Sequence, residues 1–421
     1  MEVKELEQES SWKLTELLKL QPNLERLDLT INDTWDPIFI PWLFQACPAC
    51  NTLRINHYGF QSDIEPEIEA DAIYQSALSS LEELQGTRLR DLSIRLRTVA
   101  QWRGILPRLL RSSPLLERLE LQDLVDPDTV LRISEGFKAG THSKLRHLSI
   151  VGSAHSNESD KIADLIHAIG EGGFIKDGPQ STMGKLEYYE VNRVYEFTPQ
   201  SSRTLVDFHA DTITVLKLNP TKLVPYSLFV NTISSLPNLR SLEARVRMGI
   251  EFGITSIGDT ESAFQLSWPC LELRSISLVT DYRRDRRPSQ ENSLPRRCVN
   301  HLFKQIGRLK NLREWKMKNI YRMPIDMENL DELSGLKQLR EIELDGMTGF
   351  PLDKRGAEWM VLYWPRLSQI TLNGALIAVK AESTDGPSEV FKNKTQPLRP
   401  EIHNYGRLFF RLLKIIISTP R

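Results

Sequence analysis

The sequence predicts an α/β solenoid, a run of about twelve strand–helix repeats of 26–29 residues with insertions. Three observations carry that expectation. A leucine block of the form L-x-x-L-x-L recurs twelve times between Leu24 and Leu372. Seven of the eleven intervals between successive middle anchors fall between 26 and 29 residues, too regular for chance. Between the blocks the apolar spacing lengthens from two to three and four, the period of a helix with one buried stripe.

The blocks come in order as "PNLERLDLT" (Leu24, Leu27, Leu29), "ACNTLRIN" (Cys50, Leu53, Ile55) and "TRLRDLSIRL" (Leu89, Leu92, Ile94). "PLLERLELQD", "SKLRHLSIV", "GKLEYYEVN" and "TITVLKLN" follow, with middle anchors Leu119, Leu148, Tyr189 and Leu216. The last five, "PNLRSLEAR", "LELRSISLV", "KNLREWKMK", "KQLREIELD" and "PRLSQITLN", have anchors Leu242, Ile276, Trp315, Ile342 and Ile370. In each block the last two anchors alternate as a strand with one buried face requires. "IPWLFQACP", "ILPRLLRSSP", "LFVNTISSLP" and "LFKQIGRLK" supply helices between blocks, each ended by proline, lysine or a polar pair.

A fixed period of this length is the signature of leucine-rich repeats. One repeat cannot bury its own apolar face, so neighbours stack into one continuous core, and the expected array is a horseshoe-like solenoid. The array is expected over residues 1–375, followed by a linker over 376–400 ("KAESTDGPSEVFKNKTQPLRP") and a C-terminal apolar helix over 401–421. "RLFFRLLKIII" reads as a cap on the last repeat; an interfacial membrane helix is a second reading and a mis-predicted coding sequence a third. Apolar content of 40%, 26% charged residues and a net charge of −1 describe an ordinary globular protein. The charged N-terminus does not read as a signal peptide, and no stretch reaches the roughly 18 apolar residues of a membrane span. Four cysteines make no disulfide framework. A cytoplasmic or nuclear setting is expected.

Three intervals carry insertions: an acidic one at 57–86, a polar, glycine-rich one at 152–184 around a helical "KIADLIHAIG", and an arginine-rich one at 280–298. The last holds Arg283, Arg284, Arg286, Arg287, Arg296 and Arg297. It reads as a solvated loop, with a nuclear-import signal or a patch for an acidic partner as the functional readings.

Catalytic chemistry finds little support. Cys47 and Cys50 form a lone C-x-x-C without the second ligand pair that zinc requires. Cys50 instead occupies the first anchor of its repeat, and Cys47 packs at a helix end. No G-x-S-x-G, P-loop or G-x-G-x-x-G occurs, and no serine, histidine and aspartate are arranged to nominate a nucleophile. The expectation is a non-enzyme with no cofactor and no metal.

The strand positions flanking the last two anchors point away from the core and make the concave face. Across twelve strands about 4.8 Å apart they line roughly 50 Å. Eight basic and nine acidic residues lie there, without the basic excess that a phosphate backbone demands, so nucleic acid is disfavoured. The middle of the array combines charge with an aromatic, as protein hot spots do. Arg118, Glu120, His147, Tyr188, Glu190, Lys217 and Arg245 are the predicted contacts for a protein partner, with the insertions as the competing location.

Lines such as "CPACNTLRI" and "SPLLERLEL", a proline after a helix and then L-x-x-L-x-L, resemble the leucine-rich-repeat region of fungal F-box proteins of the ribonuclease-inhibitor-like type. The likeness covers residues 12 to about 375. It implies a substrate-recognition adaptor, in which an N-terminal F-box docks onto a Skp–cullin ubiquitin ligase and the repeats hold the substrate. This sequence departs from the pattern. The segment before the first strand is too short for an F-box, and "SWKLTELLKLQPNL" reads as the helix of the first repeat. The ligase-docking half is therefore expected to be absent, degenerate or lost from this chain. The asparagine that often follows the last anchor appears at Asn32, whereas Leu124, Val194, Ile320 and Met347 hold equivalent places.

Overall fold

The computed structural model describes residues 2–4, 8–31, 39–57, 75–76, 79–81, 86–95, 102–124, 127–139, 144–152, 159–172, 186–248, 261–282, 294–325, 327–348, 354–372 and 375–378. The chain forms two compact units, Met1–Lys222 and Leu223–Arg421.

In the first unit eight strands lie in sequence order: β1 (Glu2–Lys4), β2 (Arg26–Ile31), β3 (Thr52–His57), β4 (Asp91–Arg95), β5 (Arg118–Leu124), β6 (His147–Gly152), β7 (Tyr188–Asn192) and β8 (Val215–Asn219). Every neighbouring pair is parallel. Parallel neighbours need a crossover, and helices supply it. α1 (Gln8–Lys19) precedes β2, and α2 (Ile40–Ala46) joins β2 to β3. α3 (Trp102–Arg111), α4 (Pro127–Ala139), α5 (Ser159–Gly172) and α6 (Pro199–His209) make the last four crossovers. α5 contains the "KIADLIHAIG" of the second insertion. The start of α6 is written locally: Thr198 accepts the amide of Ser201 at 3.1 Å, and Pro199 fills the first helical position where no amide is needed.

The middle anchors pair in register, Leu27 with Leu53, then Leu92, Leu119, Leu148, Tyr189 and Leu216. All seven are at most 1% exposed, so the alternation has put one whole face into the core. The extra anchor three residues upstream belongs to the turn that enters each strand. The residue after it offers its carbonyl to two amides of the next repeat. Glu117 O accepts from Arg146 N at 2.9 Å and His147 N at 3.0 Å, and Arg146 O accepts from Glu187 N and Tyr188 N. The first anchor is buried so that this carbonyl sits in register; the pattern L-x-x-L-x-L is a strand plus its entry turn.

The second unit begins with β9 (Val224–Pro225) and α7 (Tyr226–Ile233). β10 (Ser241–Met248), β11 (Ser275–Tyr282), β12 (Glu314–Pro324), β13 (Glu341–Thr348) and β14 (Gln369–Leu372) form parallel pairs, with Leu242, Ile276, Trp315, Ile342 and Ile370 in register. β9 also pairs with β10. α8 (Leu294–Gly307), α9 (Met327–Glu332) and α10 (Lys354–Tyr363) are the crossovers from β11 to β14. β15 (Ala375–Ala378) turns back antiparallel on β14, a strand outside the repeat pattern that runs into the start of the expected linker. Gly346, at φ +69°, stands where a Cβ would meet the Asn319 carbonyl oxygen at 1.9 Å, so only glycine lets β13 leave beside β12.

Each unit is a leucine-rich-repeat solenoid of alternating parallel strands and helices. Arg296 and Arg297 lie in the first turn of α8 and not in a loop. Arg297 Nη2 donates to Glu261 Oε2 at 2.7 Å, and its guanidinium lies 4.7 Å from the Phe264 ring centre. The other four arginines of that insertion, Asn32, and the expected linker and apolar helix beyond residue 378 lie outside the described residues.

Candidate functional site

Six of the seven predicted contacts stand on adjacent strands of the first unit. Alternation turns Leu119, Leu121, Leu148 and Ile150 inward, so Arg118, Glu120, His147 and Ser149 face the other way. The parallel register then aligns Asp91, Arg118, His147 and Tyr188 in one column, and Arg54, Ser93, Glu120, Ser149, Glu190 and Lys217 in the next.

Within this grid the side chains join into a ladder. Arg54 Nη2 lies 3.6 Å from Asp91 Oδ2, and Arg118 Nε lies 4.0 Å from Asp91 Oδ1. Arg118 Nε donates to Glu120 Oε1 at 3.1 Å, and its Nη2 donates to the same oxygen. His147 Nε2 stands 3.7 Å from Glu120 Oε1, a contact longer than a hydrogen bond. The His147 ring stacks on Tyr188 with centroids 3.8 Å apart and planes 14° from parallel. Tyr188 Oη donates to Glu190 Oε2 at 2.6 Å, and Ser149 Oγ donates to the same oxygen at 3.2 Å. Lys217 Nζ is 5.4 Å from the Tyr188 ring centre.

Electrostatics follow from these contacts. The His147 ring and the Arg118 guanidinium hold the Glu120 carboxyl down to about 2 against the cost of its burial. Burial and then the Glu190 carboxylate push the Tyr188 phenol up. The ladder thus fixes Arg118, Glu120 and Glu190 in place around a stacked aromatic pair.

Arg245 belongs to the second unit, half-buried on β10, with Val279 as its register partner. The thiol reading holds: Cys47 caps α2 fully buried, its Sγ 3.6 Å from Leu18 O, and Cys50 fills a core anchor. Burial pushes the Cys50 thiol up to about 11. Among the described residues no group of three His, Cys, Asp or Glu is placed to hold a metal ion, and no helix is long and apolar enough to cross a membrane.

Sequence reasoning missed a buried polar set near the end of β11 and in the middle of β12: Thr280, Asp281 and Asn319 are at most 5% exposed. The signal was available, because Asp281 stands three residues after the anchor Leu278, at the asparagine place of the repeat, with Arg247 as register partner.

These features define a leucine-rich-repeat protein with a polar, aromatic-centred sheet face. No family model matches the chain, and no curated protein matches it. Among solved structures it is similar to an internalin (inlF) from Listeria monocytogenes str. 4b, at 13% identity over 85% of this chain and 84% of that one, with a TM-score of 0.39.

Proposed function

We propose that this protein is a non-catalytic interaction module that holds another protein on the sheet face of its first unit. The observation that carries this reading is the ladder from Arg54 to Lys217, centred on the His147–Tyr188 stack. Three features favour a protein partner. Aromatic and arginine side chains dominate protein hot spots. The face has both charge signs, already paired, which suits a partner of mixed charge better than a polyanion. Its groups are pre-ordered by mutual contacts, so binding costs little side-chain entropy.

The finer reading, a substrate-recognition adaptor of a Skp–cullin ubiquitin ligase, rests on the resemblance of the repeats to fungal F-box proteins. A cytoplasmic or nuclear setting goes with it and suits four free, buried thiols. Affinity purification of the full chain with identification of co-purifying proteins by mass spectrometry separates the readings. Skp and cullin subunits in the eluate would support the adaptor reading. Their clean absence beside a reproducible partner would leave a leucine-rich-repeat scaffold unrelated to ubiquitin.

A further inference from the structure

The position just after the first anchor of each repeat has one structural duty, to pass its carbonyl to the next repeat. That duty is done by backbone, so the fold leaves its side chain free. In the first unit this column reads Arg90, Glu117, Arg146, Glu187 over four successive strands, and it neutralises itself. Arg90 Nη1 lies 3.4 Å from Glu117 Oε1, and Arg146 Nη1 lies 2.8 Å from Glu187 Oε1.

In the second unit the same column is Arg240, Arg274, Arg313, Arg340. The backbone sets them side by side: Arg274 N donates to Arg240 O, Arg313 N to Arg274 O and Arg340 N to Arg313 O, each at 2.8 Å. All four are exposed, and among the described residues none has a carboxylate within ion-pairing distance. At about 4.8 Å per strand the row runs roughly 14 Å. Four unpaired guanidinium groups in file repel one another, and nothing in the repeat requires them.

We propose that this arginine row is a second interaction surface, one that takes an extended acidic segment of another protein. An extended peptide puts alternate side chains on one face at roughly 7 Å intervals, so about three carboxylates match the row. Guanidinium groups bind carboxylates in planar, two-pronged pairs. The border of the row chooses peptide over nucleic acid. The column directly beside the row reads Ser241, Ser275, Glu314 and Glu341, so carboxylates stand next to its Arg313 and Arg340 end. A positive line one residue wide, flanked along half its length by carboxylates, opposes a continuous phosphate backbone, but it admits a peptide whose other face is polar or basic.

Fluorescence anisotropy of the full chain with a labelled peptide of alternating glutamate and serine tests this. Binding is expected, weakened by about tenfold in Arg274→Glu/Arg313→Glu and weakened again by salt, as for exposed charge pairing. Arg203→Glu/Arg355→Glu, on exposed arginines of α6 and α10, makes the same change in net charge and is expected to leave the affinity unaltered. If the glutamate variant does not melt cooperatively, Arg274→Gln/Arg313→Gln serves instead. Absent binding, or equal loss in the control variant, overturns the proposal. Tighter binding of an oligothymidylate of equal charge overturns the peptide as occupant. Self-association abolished by the row variant would assign the row to a second copy of this chain and overturn it likewise.

Discussion

Tyr189 shows what one residue costs when the repeat forces its position. It takes a middle anchor normally filled by leucine and is fully buried, and its hydroxyl has no hydrogen-bond partner. Burial alone pushes its phenol far up. A buried hydroxyl left unpaired costs about 1–3 kcal/mol, so Tyr189→Phe is expected to raise stability by roughly 1 kcal/mol in a denaturant melt. A loss would mean that the hydroxyl has a partner after all. Glu120 is the opposite case, a half-buried carboxylate held below its ordinary value of 4.5, at about 2. The unfolded chain binds its proton first, so this group stabilises the fold above about 4.5, and the benefit fades as pH falls toward 2. Glu120→Gln should therefore lower the melting temperature at neutral pH. The gap to wild type should close between pH 4.5 and 2. A gap independent of pH would assign the loss to packing.

At the scale of elements, each strand is stabilised by two neighbours as well as by its own anchors. Leu119 and Leu148 are register partners on β5 and β6, both 0% exposed. Alanine at either should cost about 2–5 kcal/mol, because neighbouring strands cannot both close the cavity. An unchanged thermal melt for either would place the strands in another register. The register was legible because strand alternation and repeat period constrain the same residues twice. Every strand pair joining two repeats within a unit follows the anchors read from the leucines. β1 and β15 were not legible, because three- and four-residue strands outside the period have no alternation long enough to read. Arg296 and Arg297 were misplaced for a different reason. Charge density reads as loop in a linear sequence, but the pair lies in the first turn of an amphipathic helix whose Cys298, Val299 and Leu302 are buried. The candidate ladder was legible only as two columns of residue types. Which charges pair, and that His147 and Tyr188 stack, depends on rotamers that no spacing encodes.

At the scale of the whole molecule, 54 basic against 55 acidic residues give no net field to steer a partner, so specificity has to reside in local patches. The sheet face of the first unit is such a patch, and its paired charges predict affinity that changes little with salt. Its energy should sit in the stack and the carboxylates beside it. Tyr188→Ala combined with Glu190→Lys removes the ring that His147 packs on and the acceptor shared by Tyr188 and Ser149. The double variant leaves the buried anchors Tyr189 and Val191 untouched. Hot-spot losses of about 2 kcal/mol or more make the expected drop in affinity for the purified partner at least tenfold. Its melt should fall far less than that of Leu148→Ala. Calorimetric titration of wild type and variant with the same partner decides the matter: unaltered affinity would move the binding surface to the insertions, and a collapsed melt would make the ladder part of what holds the sheet together.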